Sequence, residues 1–198
     1  LGDLAQWTTD ADQGATGRFV GYDTVAVDSL VTAVKRLDDG QVAVMLRESP
    51  FYAESGGQVA DTGEIVGAGW RLDVTDVRRI DGSVAAIGRL SGDVKFEVVT
   101  ARVSTLPRQE TERHHTATHL LHAALRSVLG EHVHQAGSLV APERLRFDFT
   151  HHGPVSPEDL DRIERIVNEG IWANVDVRTT ERPYQEALAA GAMALFGE

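Results

Sequence analysis

The sequence predicts an α+β chain: a small antiparallel β-barrel followed by an α+β lobe. Three observations carry that expectation. Between about residues 18 and 104, short runs of alternating apolar residues are separated by turn signals, as in small barrels. From about 107 to 129, apolar residues recur at helical spacing. Beyond that point, strand-like and helix-like segments mix, as they do where helices cover one sheet.

Taken in order, residues 1–17 are polar and rich in Gly and Asp, with an exposed-looking Trp7. They are expected to form a linker or a loosely docked arm. In 18–104, alternation picks out Val25 and Val27; Val42, Val44 and Leu46; Trp70, Leu72 and Val74; and Val94, Phe96 and Val98. Asp38-Asp39-Gly40, Thr62-Gly63, Asp81-Gly82 and Ser91-Gly92-Asp93 supply turns between them. The doublet Val98-Val99 breaks the alternation and predicts a bulge. One segment fits no strand: Pro50-Phe51-Tyr52-Ala53-Glu54-Ser55-Gly56-Gly57-Gln58. Paired glycines let backbone N–H groups approach a ligand closely, because no Cβ intervenes. A flexible surface turn has the same sequence, so the pair alone does not decide.

The helix expected at 107–129 opens on Pro107, a good first-turn residue, and stops at Gly130. Ala117, Leu120, Leu121, Ala124, Leu125, Val128 and Leu129 form its apolar stripe. Val133–Val140 and Leu145–Thr150 read as a strand pair turning at Ala141-Pro142-Glu143, with Leu145, Phe147 and Phe149 on one face. His151-His152-Gly153-Pro154 reads as a loop with solvated histidines. Ser156-Pro157-Glu158-Asp159 is an N-cap, a first-turn proline and an acidic first turn. Leu160, Ile163, Ile166 and Val167 of the following helix are expected inward. Val175 and Val177 suggest a strand, and Tyr184–Ala190 a short helix stopped by Gly191. The chain ends on an apolar run, Ala192–Phe196, and begins with Leu rather than Met; both features suggest a piece of a longer protein.

With 198 residues, 42% of them hydrophobic, the chain has ample material for a packed core. No stretch has the length and apolar character of a membrane span or a signal peptide. There is no cysteine, hence no disulfide and no thiolate ligand within the chain. A cytoplasmic origin is the simplest expectation. A net charge of −11 argues against broad, charge-driven nucleic-acid binding, although it leaves room for a local basic patch.

All eight histidines lie between positions 114 and 152. At about 100° per residue, His115, His119, His122 and Arg126 share the helix face opposite the aliphatic stripe. His115 and His119 are i, i+4 neighbours, so their Cβ atoms are about 5–6 Å apart. Two imidazoles at that spacing can converge on one metal ion, whereas His114 points one step round. A zincin would need Glu after the first histidine, and Thr116 stands there. Two ligands also do not complete a site. A solvated His pair has the same spacing.

Several motifs nevertheless carry a family resemblance. His115-Thr-Ala-Thr-His119-Leu-Leu-His is followed by Val133-His-Gln135-Ala-Gly137-Ser138-Leu-Val, Leu145-Arg-Phe-Asp-Phe149 and Gly191-Ala-Met-Ala-Leu-Phe-Gly-Glu198. Together they resemble the editing domain of the alanyl-tRNA synthetases. Phe51-Tyr-Ala-Glu-Ser-Gly-Gly-Gln58 resembles the glycine-rich motif of that family's barrel. The likeness extends from about Gly21 to Glu198. The family has Asn where His114 stands.

The resemblance implies a translation-protein-like barrel over 18–104 after an arm at 1–17. It also implies an α+β lobe from 105, of the type shared with the threonyl enzymes and truncated before a second zinc-ligand motif. The implied chemistry is hydrolysis of tRNA(Ala) mischarged with serine or glycine. His115 and His119 would be two of four zinc ligands, the others lying in a Cys-x-x-x-His motif beyond Glu198. Thr118, Gln135 and Ser138 match catalytic or discriminating positions. On chemical grounds, an aminoacyl ester in a cleft also needs close-range polar backbone, so Ser55, Gly56, Gly57 and Gln58 are expected to bind substrate at the junction of the two lobes, facing the His115–His119 side of the helix; a solvent-facing hairpin tip is the alternative. Gln135 and Ser138 have opposite strand parity, so serving one site requires a bulge near Gly137. The parent enzyme would use ATP and Mg to join alanine to tRNA(Ala), and the implied partners are the mischarged tRNA and the remainder of the synthetase chain, with no membrane. A non-catalytic tRNA-docking or spacer module, or a free-standing trans-editing relative, is the alternative.

Overall fold

The computed structural model describes residues 7–9, 17–37, 40–176, 178, 180 and 182–191. Expectations for 1–6, 10–16, Asp38-Asp39, Val177 and Ala192–Phe196 lie outside those residues. The chain divides into two compact units: Leu1–Arg113 with Leu139–Arg144, and His114–Ser138 with Leu145–Glu198.

The first unit is a barrel. Its strands are β1 (Thr8–Thr9), β2 (Arg18–Phe19), β3 (Ala26–Arg36), β4 (Val42–Leu46), β5 (Glu48–Ser49), β6 (Gly63–Gly67), β7 (Trp70–Ile80), β8 (Ser83–Ser91) and β9 (Val98–Val103). The order β3-β4-β8-β7-β6-β9 closes on itself, because β9 pairs back onto β3. Every pairing in that ring is antiparallel. The length of β3 makes closure possible. Its first half, Ala26–Leu30, pairs with β9, and its second half, from Val31, pairs with β4. Closure leaves no open edge among these six strands.

Inward residues from each strand form one core: Val31, Val42, Val44, Leu46, Phe51, Ile65, Leu72, Val74, Val84, Val99 and Ala101 among others. All five residues of β4 are buried, not only the alternate ones. The outer face accounts for this. Ala33, Ala43, Met45, Ala85 and Ile87 form a second apolar cluster with Trp7, which is 6% exposed. The expectation of an exposed Trp7 is therefore corrected: β1 pairs with β3, and the indole covers the small residues outside the barrel.

Two further expectations change. The last strand starts at Val98, and Val99, Ala101 and Val103 point inward while Val98 is exposed. The inward phase is thus opposite to that read from Val94, Phe96 and Val98. No register shift falls at Val98-Val99; shifts occur instead between Val31 and Ala33 and between Val74 and Asp76.

Helix α1 (Thr105–Leu129) begins in this unit. Arg108 in its first turn is buried and binds three separate segments. It donates to Asp61 Oδ1 at 2.9 Å, to Gly21 O at 2.8 Å and to Pro50 O at 3.0 Å. Its Nη2 also donates to Asp61 Oδ2, and that oxygen accepts Tyr52 N at 2.7 Å. Four of the guanidinium's five N–H groups are used in these bonds, and the paired carboxylate of Asp61 is what permits a buried charge.

The second unit contains most of α1, the strands β10 (Gln135–Ala141) and β11 (Arg144–Phe149) except their turn ends, and helices α2 (Pro157–Ala173) and α3 (Tyr184–Ala189). Ser156 caps α2 by accepting Asp159 N at 3.1 Å, as its sequence predicts. Ala124, Leu125, Val133 and Ile163 form the core, with Leu121, Val128, Phe147, Phe149 and Val167 packed against it. Leu160 and Ile166, expected inward, are exposed instead. Val175 lies in no strand.

Candidate metal centre

His115 and His119 stand one turn apart on the exposed face of α1. Their rings are nearly parallel, 17° apart, with centroids separated by 5.0 Å. Helix geometry alone dictates this, because i and i+4 side chains lie one above the other. Desolvation, then the charge of His119, holds the His115 pKa below its ordinary value. At neutral pH the ring is therefore in the neutral form that binds metals. Two nitrogen donors presented side by side fit half of a tetrahedral zinc site. Among the described residues, no group of three His, Cys, Asp or Glu is arranged to hold a metal ion.

Thr118 lies between them in sequence and is buried, 7% exposed. Its hydroxyl donates to His114 O at 2.8 Å, the back-bond to the preceding turn common for threonine in helices. The proton is thus committed, and the oxygen keeps its acceptor capacity.

Gln135 and Ser138 meet despite their opposite strand parity: Gln135 Nε2 donates to Ser138 Oγ at 3.2 Å. Gly137 lies between them, where an added Cβ would crowd Asp148 Oδ2 at 2.8 Å. The sequence-derived residues of this unit therefore form two small groups, the imidazole pair with Thr118 on α1 and the Gln135–Ser138 pair on β10.

The segment Ser55–Gln58 belongs to the first unit. Ser55 N donates to Gln58 O at 3.2 Å and Gln58 N to Ser55 O at 2.9 Å. The two central residues, Gly56 and Gly57, have φ of 58° and 84°. Positive φ at both positions is the tight hairpin turn that side-chain-bearing residues rarely adopt. One side of the turn is paired: Val140 N donates to Gly57 O at 2.8 Å, and Val59 N to Val140 O at 3.0 Å. The Tyr52 hydroxyl donates to Ser55 O at 3.3 Å. The glycine pair thus makes a braced turn rather than a loose surface loop.

Spacing alone did not reveal three other features. His122, placed by the helical wheel beside the exposed pair, is buried against Phe147 with ring centroids 5.1 Å apart. The apolar face of the β10–β11 hairpin covers this part of the helix, and a helical wheel has no axial coordinate to show it. His151 and His152, expected solvated, both stack on His132 with centroids 5.2 and 4.9 Å away. His132 Nε2 lies 3.0 Å from His151 Nδ1, so one of these rings must supply a lone pair. Desolvation, then the charges of His152, His151 and His134, lowers the His132 pKa and favours that neutral form. Finally, the role of Arg108 could not be read from its position in a charge-mixed first turn.

Comparison with known proteins adds an independent finding. Residues 5–105 match the family model described as tRNA synthetases class II (A). The chain is similar to alanine–tRNA ligase of Staphylococcus epidermidis, 47% identical over 195 residues that cover 91% of this chain and 22% of that protein. It is 49% identical over 194 residues to the enzyme of Geobacillus thermodenitrificans, with the same coverages. It is 49% identical over 207 residues to that of Roseiflexus castenholzii, covering 99% of this chain and 23% of the relative. The chain therefore spans about a fifth of the length of these relatives.

Proposed function

The chain belongs to the alanine–tRNA ligase family of class II tRNA synthetases, and from that premise we propose that it is the editing part of such an enzyme. Its reaction is hydrolysis of the ester that joins serine or glycine to tRNA(Ala). Such an activity has a physical necessity. A pocket shaped for alanine cannot sterically reject glycine, and an added hydroxyl is rejected only about 100-fold. A second site must remove the errors.

The observation that carries this reading is the pair of nearly parallel imidazoles one turn apart on α1, with the His115 pKa held below its ordinary value by desolvation. His115 and His119 would hold zinc, with the remaining ligands supplied by the rest of the synthetase chain. Bound there, zinc supplies a Lewis acid for the ester carbonyl or an anchor for water or the substrate amine. The other roles fall to this chain's own groups. Thr118 contributes a hydroxyl oxygen against which the amino-acid side chain is tested. Gln135, oriented by its bond to Ser138, directs the attacking water. Ser55, Gly56, Gly57 and Gln58 contribute a preorganised backbone turn for the substrate. The parent enzyme charges tRNA(Ala) with alanine using ATP and Mg, and it works in the cytoplasm. No helix among the described residues is long and apolar enough to cross a membrane.

The test is release of serine from Ser-tRNA(Ala), compared with release of alanine from Ala-tRNA(Ala), by the full synthetase chain. The expected result is hydrolysis of the first and sparing of the second. Gln135→Ala should lower the serine rate by about 100-fold. Absence of hydrolysis, with tRNA binding retained, would instead identify a docking or spacer module.

A further inference from the structure

Val133 is fully buried in the core of the second unit and stands two residues before Gln135. Its carbonyl oxygen accepts Arg126 Nη1 at 3.1 Å and a hydrogen bond from the His122 ring. Two donors occupy both lone pairs of that carbonyl. Arg126 also donates to Glu131 O at 2.9 Å, so the turn between α1 and β10 is fixed at two points from one helix face.

His122 Nε2 is buried and, among the described residues, has no hydrogen-bond partner. The bond to Val133 therefore comes from Nδ1, which defines a neutral tautomer with its proton on Nδ1. Burial, then the positive charge of Arg126, lowers the His122 pKa and keeps the ring neutral. A leucine would fill similar space without a buried, unsatisfied nitrogen, and such a nitrogen disfavours the folded state. What the imidazole offers in exchange is the Nδ1–H that grips the strand entering Gln135.

We propose that His122 is a positioning residue of the deacylation site. Together with Arg126 it clamps the Val133 carbonyl, and the clamp sets where Gln135, and through it Ser138, stands on β10. The inference rests on the deacylase reading above. It adds that the reaction depends on a residue that touches neither substrate nor metal. Small displacements matter here: misplacing a catalytic group by about 1 Å can cost about 100-fold in rate.

The experiment uses the full zinc-loaded chain and Ser-tRNA(Ala), assayed well below the melting temperature of each variant. His122→Leu should lower kcat by about tenfold or more and leave KM within about twofold. His122→Asn, whose amide can donate to the same carbonyl, should recover most of the loss. Arg126→Met, which removes the second donor, should give a smaller loss of the same kind. On a Gln135→Ala background, His122→Leu should add little, because both changes act through one residue. Amide exchange at Gln135 should accelerate in His122→Leu and not in His122→Asn.

The proposal is overturned if the two substitutions multiply independently, if Asn is no better than Leu, or if His122→Leu retains the wild-type kcat. If the wild-type chain hydrolyses nothing, the functional reading fails separately, and the exchange measurement still tests the clamp. Unchanged exchange at Gln135 would then refute it.

Discussion

Leu72 in the barrel and Leu160 on α2 are the same side chain in opposite circumstances. Leu72 is fully buried between β6 and β8 neighbours, whereas Leu160 is 53% exposed. The contrast holds for the two units generally. The barrel closes its hydrogen-bond ladder and buries apolar residues on the inner face of every strand, and under Trp7 on the outer face as well. Among the described residues, the second unit packs Ala124, Leu125, Val133 and Ile163 as its core and leaves Ile171, Trp172, Val175 and Tyr184 exposed. Closure leaves the barrel strands without an open edge, whereas the described part of the lobe, which carries the candidate chemistry, has the smaller core. Its precision is supported by directed polar contacts, the His122 and Arg126 bonds to the Val133 carbonyl near the end of α1.

The sharpest way to break this comparison is to make one substitution in both places. In the 198-residue chain, Leu72→Ala should cost about 2–5 kcal/mol by leaving a cavity in a closed core. Leu160→Ala should change stability by no more than about 0.5 kcal/mol. Denaturant unfolding followed by tryptophan fluorescence reads both, and equal losses would mean that the α2 face is covered after all.

The same contrast explains which features were legible in sequence. Alternation located β4 and β7 because barrel strands have one consistently buried face. It misread β9, where Val94 packs on the core without belonging to a strand and Phe96 and Val98 face solvent. It misread Trp7 because its partners, Ala33, Ala43 and Ala85, are small and come from three strands that meet only in the fold. In the lobe, the pairing of His115 with His119 follows from helix spacing alone. The burial of His122 does not, because it depends on a hairpin that begins more than ten residues later. Local periodicity reports faces, whereas tertiary cover decides which part of a face is dry.

A smaller effect sharpens the account of the barrel. Glu97 accepts Ala68 N and Trp70 Nε1, each at 2.8 Å, and so holds the turn between β6 and β7. The Ala68 bond, then the Trp70 bond, lowers its pKa below the ordinary carboxylate value. A lowered folded-state pKa means that the unfolded chain takes up the proton first as pH falls. The contribution is therefore complete above the ordinary carboxylate pKa and is lost as pH descends through the folded-state value. Melting curves from neutral to acidic pH should show Glu97→Gln narrowing its deficit as the wild type loses this term. A deficit independent of pH would show that the carboxylate charge contributes nothing.

The central claim is that α1 carries half of a zinc site that hydrolyses mischarged tRNA. The most direct test measures zinc content and Ser-tRNA(Ala) hydrolysis together, in the full chain and in its His115→Ala/His119→Ala double variant. The account predicts that the double variant loses bound zinc and hydrolysis together while tRNA(Ala) binding persists. It also predicts that the 198-residue chain, offering two imidazoles, binds zinc far more weakly than a four-ligand site does. Full hydrolytic activity in the double variant would contradict the account.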